Sequence, residues 1–304
     1  MTRGAASDQD HAVAWARDHG INLFDTAPSY GDGVSESNLG RALQGRVDGL
    51  VIGTKVGLRE ADMADISAAV RRSVEASLKR LKLDHVDLIQ LHNTIDTPGH
   101  WARITDDQVL SDVIPAFQAL RDAGKVRFFG FTADGDTAQM HRMIRSGVFH
   151  SAQIFFNLLV PSAGDVVPPG YPAQDYRQIL GLAHDHGLGS IGVRVLAGGA
   201  LSGTESRHPL GMARVAPIGS NTDYETDVCH ARRFQPLVDD GYAADLPELA
   251  IRYTISNPHL TTIEVGMATL EQLQQAARAV DKGPLPGAAL ARIRAIQAGL
   301  AESP

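Results

Sequence analysis

Residues 20–40 read Gly20-Ile-Asn-Leu-Phe-Asp-Thr-Ala-Pro-Ser-Tyr-Gly31-Asp-Gly-Val-Ser-Glu-Ser-Asn-Leu-Gly40. A largely apolar run from Ile21 to Phe24 ends at the carboxylate of Asp25. A turn rich in Pro28, Gly31 and Gly33 then places Tyr30 five residues beyond it. The same pattern recurs twice. Leu50-Val-Ile-Gly-Thr leads to Lys55, and Val86-Asp-Leu-Ile-Gln-Leu leads to His92. Three short strands in succession therefore end in a charged or titratable side chain.

Working outward, each strand is followed by a helix. Ser7-Asp-Gln-Asp10 predicts a capped, acidic first turn of a helix that runs through Trp15 and stops at Gly20. A strand follows at Asn22–Thr26, then a helix at Ser35–Leu43 and a strand at Leu50–Lys55. Ile66, Val70, Val74, Leu78 and Leu81 share one helical face, with Arg71, Arg72, Lys79 and Arg80 on the other. Further along, strands are expected at Val86–His92, Val126–Thr132, Ala152–Phe156, Ser190–Leu196 and Thr261–Val265. Helices are expected at Ser111–Ala123, Thr137–Arg145, Tyr176–His186, Pro247–Ser256, Leu270–Val280 and Ala288–Leu300. The stretch from Gly198 to Asp245 reads as irregular.

Strand-helix repeats with nearly continuous apolar strands predict a parallel sheet covered by helices, and this many of them favour a closed (β/α)8 TIM barrel over an open sheet. Seven strands can be counted. An eighth would precede the first helix, where only Met1–Ala6 stand, so the first strand is expected to be missing or truncated. Without linkers or low-complexity runs, residues 1–304 are read as one domain.

With 304 residues, 43% of them hydrophobic, the chain can bury a large core. A net charge of −7 with scattered Lys and Arg offers no field for nucleic acid or an anionic membrane, so the expected partner is a small molecule. The single cysteine, Cys229, excludes an internal disulfide and a Cys-rich metal site. His184-Asp-His186 lies on an expected helix, where residues two apart do not share a face, and no metal site is expected. No run has signal-peptide or membrane-spanning character, which predicts a cytoplasmic protein.

In parallel barrels the C-terminal strand ends form the active face. Taken singly, Asp25 is a turn former, Lys55 a solvated strand end and His92 a buried histidine. At three successive strand ends with Tyr30 nearby, they suit proton delivery to a carbonyl oxygen. A phenol with a pKa near ~10 is a weak acid at neutral pH, and an adjacent ammonium makes it stronger. The carboxylate would hold Lys55 charged and the imidazole would orient the substrate oxygen, leaving the hydride to come from elsewhere.

Phe24-Asp-Thr-Ala-Pro-Ser-Tyr-Gly31 with Ser35-Glu36, then Gly53-Thr-Lys55, then Asp87-Leu-Ile-Gln-Leu-His92, resembles the aldo-keto reductases in order, spacing and strand context. The resemblance extends from the first helix to about Val280. It implies a TIM barrel that binds NADP(H), with NAD(H) as the alternative, and reduces an aldehyde or ketone or oxidises the corresponding alcohol or sugar. Tyr30 would be the general acid, tuned by Lys55 and Asp25, and His92 would position the carbonyl. For the cofactor, the resemblance implies Thr132 and Gln153 at the nicotinamide carboxamide, with Asn157 following. It implies Arg194, Leu196, Gly198, Gly199, Leu201 and Gly203 in a loop whose backbone N–H groups wrap the pyrophosphate. Gly266, Gln272 and Gln275 would contact the adenosine. The sequence departs from the family pattern at Ala133, Val193, Ala268 and Ala276, and no Lys or Arg occurs between Gly266 and Arg278 to clamp a 2'-phosphate.

Two other classes compete with this reading. Ala133, Val193, Ala276 and the missing first strand would also suit a catalytically weak nucleotide-binding regulatory or interaction protein on the same fold. A phosphate-handling barrel isomerase or lyase would need a phosphate grip after the last two strands. The substrate loops are expected at Asn93–Asp107 with Trp101, at Pro161–Pro172 and at Thr204–Asp245.

Overall fold

Strand ends and helix caps set the architecture seen in the computed structural model, which describes residues 2–96, 101–216 and 218–301. The expectations on Met1 and on residues 97–100 of the third-strand loop lie outside the described residues, as does that on Pro217. The elements run α1 (Ala6–Asp18), β1 (Leu23–Asp25), α2 (Val34–Leu43), β2 (Val51–Val56), α3 (Ile66–Leu81), β3 (Val86–Leu91), α4 (Asp106–Gln108), α5 (Ile114–Asp122), β4 (Val126–Thr132), α6 (Thr137–Arg145) and β5 (Ser151–Phe155). They continue with α7 (Ile179–Asp185), β6 (Gly189–Val193), α8 (Tyr224–Arg232), α9 (Gln235–Asp239), α10 (Leu246–Thr254), β7 (Thr262–Ile263), α11 (Leu270–Asp281) and α12 (Gly287–Leu300). The seven strands among the described residues form a parallel sheet in chain order, β1 to β7, as strand-helix alternation requires. Residues 2–5, ahead of α1, contain no strand.

The chain divides into two compact units, residues 1–153 with 186–188 and residues 154–185 with 189–304. In the first, the register runs Leu23↔Val51, Lys55↔Gln90, Gln90↔Gly130 and Thr132↔Gln153. Its core is apolar, with Val56, Val70, Val74, Phe117, Phe129 and Phe131 buried and the Phe117 and Phe129 rings 5.8 Å apart. In the second, β6 pairs β7 through Ile191↔Thr262. Phe156 packs on Tyr253 with ring centroids 5.3 Å apart, and Phe234, Leu249 and Ile293 are fully buried.

Several expected boundaries are corrected. α1 begins at Ala6 behind Ala5, which makes no side-chain cap, so Ser7 lies inside the helix. The helix expected at Ser111 begins instead at Asp106, behind a capping box in which Thr105 accepts from the Gln108 backbone N–H. A π turn at Val109–Val113 joins that start to α5. α7 starts at Ile179 rather than Tyr176, because Arg177 and Gln178 sit at φ 50° and 57°, outside helical backbone. The segment read as irregular holds a 3-10 turn at Ala197–Ser202 and the helices α8 and α9.

Candidate functional site

Parallel pairing brings the C-terminal ends of β1 to β4 to one edge of the first unit, and the chemistry gathers there. Lys55, 1% exposed, is ion-paired to Asp25 and donates a second hydrogen bond to the Thr26 carbonyl at 2.9 Å. A buried ammonium needs this pairing, since leaving such a charge alone costs about 3–5 kcal/mol. The ammonium lies 4.9 Å from the centre of the Tyr30 ring. His92 follows β3 and is anchored by its N–H to the Val56 carbonyl at 2.7 Å. Its imidazole meets the Tyr30 ring edge-on, 6.1 Å between centroids and 85° between planes. Tyr30 itself is 40% exposed.

Two residues that strand-end reasoning did not assign complete this cluster. Trp101 lies 6.0 Å from His92, ring to ring, and its indole covers Gly57, whose missing side chain makes the space. Asn93, fully buried, holds the Trp101 segment in place. It accepts from the Leu58 N–H at 2.8 Å and donates to the carbonyls of Leu58 and Ala102 at 3.0 and 2.9 Å. The signal for Asn93 is an amide directly after a titratable strand end, a residue able to pair with the backbone of two loops at once.

Of the residues implied for the nicotinamide, Thr132 and Gln153 are register partners on β4 and β5, both buried, with Thr132 Oγ1 donating to Gln153 Oε1 at 3.2 Å. A carboxamide beside a hydroxyl offers donor and acceptor together, the pair an amide ligand requires. In the second unit, Asn157 donates to the Arg194 carbonyl at 2.8 Å.

Arg194, Leu196, Gly198, Gly199, Leu201 and Gly203 also belong to the second unit, in and around the 3-10 turn. Gly198 and Gly199 sit at φ 67° and 108°, backbone that a side chain resists. Several amides of this loop bond its own carbonyls: Gly199 and Leu201 donate to Leu196, and Gly203 donates to Ala200. Positive charge at the turn comes from side chains instead. Arg207 donates to the Gly198 carbonyl at 2.9 Å and lies over the Tyr224 ring, and Arg194 donates to the Ala216 carbonyl at 2.9 Å. The two guanidinium groups lie against the glycines of the turn, Arg194 with Val215 at Gly198 and Arg207 with the Tyr224 hydroxyl at Gly199, and guanidinium is the group that pairs with phosphate oxygens.

Gly266, Gln272 and Gln275 are exposed around the start of α11. Gln272 accepts from the Ala268 N–H at 2.7 Å, and Thr269 caps the helix. His184 on α7 lies 4.7 Å from His259, ring to ring, and no cluster able to hold a metal occurs among the described residues.

The model of the aldo/keto reductase family matches residues 2–298. L-galactose dehydrogenase of Arabidopsis thaliana is 30% identical over 293 residues, covering 90% of this chain and 78% of that protein. Among solved structures, the holo form of aldo-keto reductase AKR11C1 from Bacillus halodurans superposes with a TM-score of 0.72 at 22% identity, over 98% of this chain and 89% of that one. An aldo-keto reductase from Klebsiella pneumoniae in complex with NADPH gives 0.69 at 22% identity, over 98% and 88%.

Proposed function

Because the chain belongs to the aldo/keto reductase family, we propose that it reduces an aldehyde or ketone, or oxidises the corresponding alcohol or sugar, with NADP(H) as its cofactor. When bound, the nicotinamide supplies or accepts the hydride. The chain's own residues handle the proton. Tyr30 gives its phenolic proton to the carbonyl oxygen as negative charge develops there, and in the reverse direction takes it back. Lys55 stabilises the phenolate left behind, and Asp25 keeps Lys55 charged and aimed. His92 orients the carbonyl oxygen, while Trp101 walls the substrate space.

One observation carries this reading: a buried, carboxylate-paired ammonium 4.9 Å from the ring of an exposed tyrosine that lies edge-on to a histidine. Thr132 and Gln153 would hold the carboxamide. Arg194 and Arg207 would meet the diphosphate. The sugar-oxidising direction has support in the likeness to L-galactose dehydrogenase. The absence of a Lys or Arg between Gly266 and Arg278 keeps NAD(H) in the experiment as the competing cofactor. A cytoplasmic location suits a chain with one cysteine and, among its described residues, no helix long and apolar enough to cross a membrane.

The test is titration of the protein with NADPH and NADH in parallel, followed by fluorescence, and then addition of aldehydes and aldoses. Saturable binding followed by oxidation of the bound cofactor is expected. Tyr30→Phe should bind cofactor normally and lose about 10²- to 10⁴-fold in turnover. A Tyr30→Phe protein retaining more than a few per cent of activity would overturn the assignment of the acid. Cofactor binding without turnover on any carbonyl would instead favour a regulatory role.

A further inference from the structure

We propose that Glu36 is a positioning residue for the reaction, one side of a clamp that fixes where Tyr30 stands relative to Lys55. This rests on the assignment of Tyr30 as the acid. Glu36 lies in the first turn of α2 and is fully buried. Its Oε1 accepts from Thr54 Oγ1 at 2.6 Å, and its Oε2 accepts from Arg80 Nε at 2.5 Å. One carboxylate thus joins three elements, α2, β2 and α3. Burying such a charge is costly unless charge-assisted bonds offset it, which makes the site an exacting one rather than a surface accident.

The clamp connects to the reacting groups on two routes. Along β2, Thr54 directly precedes Lys55, and successive side chains of a strand point to opposite faces. Glu36 therefore grips the strand from the face opposite the ammonium. Along the chain, Ser35 stands between Glu36 and the tyrosine loop. The Ser35 N–H donates to the Tyr30 carbonyl at 3.1 Å, and its hydroxyl accepts from Thr26 Oγ1 at 2.9 Å. Thr26 in turn offers its carbonyl to Lys55. Arg80 closes the arrangement by lying across Gly33, at φ 85°, so closely that a side chain at that position would overlap it.

Glu36 touches neither substrate nor reacting atoms, so its effect must pass through geometry. The test compares Glu36→Gln, Thr54→Val, Arg80→Met and Arg80→Lys with the native full-length protein. It measures kcat, KM for the carbonyl, cofactor affinity by fluorescence and the pH dependence of kcat, well below each variant's Tm. Glu36→Gln keeps the volume and removes the anion. It should lower kcat about 10- to 100-fold, the scale of an ångström of misplacement, and shift the pH profile set by Tyr30 while leaving cofactor affinity unchanged. Thr54→Val, which cuts one leg, should move the same quantities less, and Arg80→Lys should recover much of what Arg80→Met loses. Should Glu36→Gln fail to fold, Thr54→Val and the Arg80 pair still decide the matter. If these variants fold with native kcat and pH profile, the clamp is structural only and the proposal falls. Tyr30→Phe measured alongside separates the two failures. An active Tyr30→Phe removes the acid itself, whereas an inactive one beside native-like clamp variants removes only the clamp.

Discussion

Asp25, Lys55 and His92 were legible because each stands where an apolar run stops, and a strand end in a parallel sheet has one edge to project from; Tyr30 was legible from its place in the turn five residues beyond Asp25. Trp101 had no such marker. Its place depends on Gly57, 44 residues earlier in the chain, and on the amide of Asn93, relations that no local spacing encodes. Gly57 gives the sharpest test of that packing. A methyl group there would run into the indole, and overpacking of this kind costs about 1–3 kcal/mol. Gly57→Ala should displace Trp101, raising KM for the carbonyl substrate roughly tenfold with cofactor affinity unchanged, as steady-state kinetics beside a cofactor titration would measure. An unchanged KM would show that Trp101 does not wall the substrate space.

At the scale of elements, helices with a strong apolar stripe were found in the sequence almost to the residue, as with α3 and α6. Stripe strength was not the whole signal, since α12 was expected to within a residue of its start, whereas α8 and α9 were not found. α8 and α9 lie in a polar stretch whose starts are marked only by Asp223 and Pro236, and the start at Asp106 depends on the Thr105 capping box rather than on apolar periodicity. Capping also supplies a prediction for α3, which carries Arg80. Asp65 Oδ1 accepts from the Ala68 N–H at 2.9 Å at the exposed start of this helix. Asp65→Ala should cost about 1 kcal/mol, seen as a lower midpoint in denaturant unfolding with the slope unchanged. Because the far end of α3 is held by packing, kcat should stay at the native value.

For the whole molecule, acid stability has an identifiable contributor in the second unit. Burial would raise the Glu248 carboxyl, but hydrogen bonds from Lys282 and Arg252, at 2.6 and 3.1 Å, outweigh it and hold the group below its ordinary value of 4.5. A lowered native pKa means that the unfolded chain binds the proton more readily. The stabilisation is therefore present above about pH 4.5 and lost as pH falls through the lower native value. Glu248→Gln should cost about 1.5–3 kcal/mol at neutral pH, and the difference from native should shrink on acidification, as urea unfolding at a series of pH values would record. A difference that stays constant with pH would rule out ionisation as the cause.

The hold of Glu36 on β2 through Thr54, from the face opposite Lys55, has an evolutionary consequence. If the proposed clamp sets the proton-transfer geometry, that geometry is held from the Thr54 face of β2, whereas the Trp101 segment packs beside His92 at the strand ends. That segment would thereby be free to drift, lengthen or change composition without retuning the acid. New specificities can then be sampled on one side of a strand while the reactive chemistry is inherited unchanged from the other.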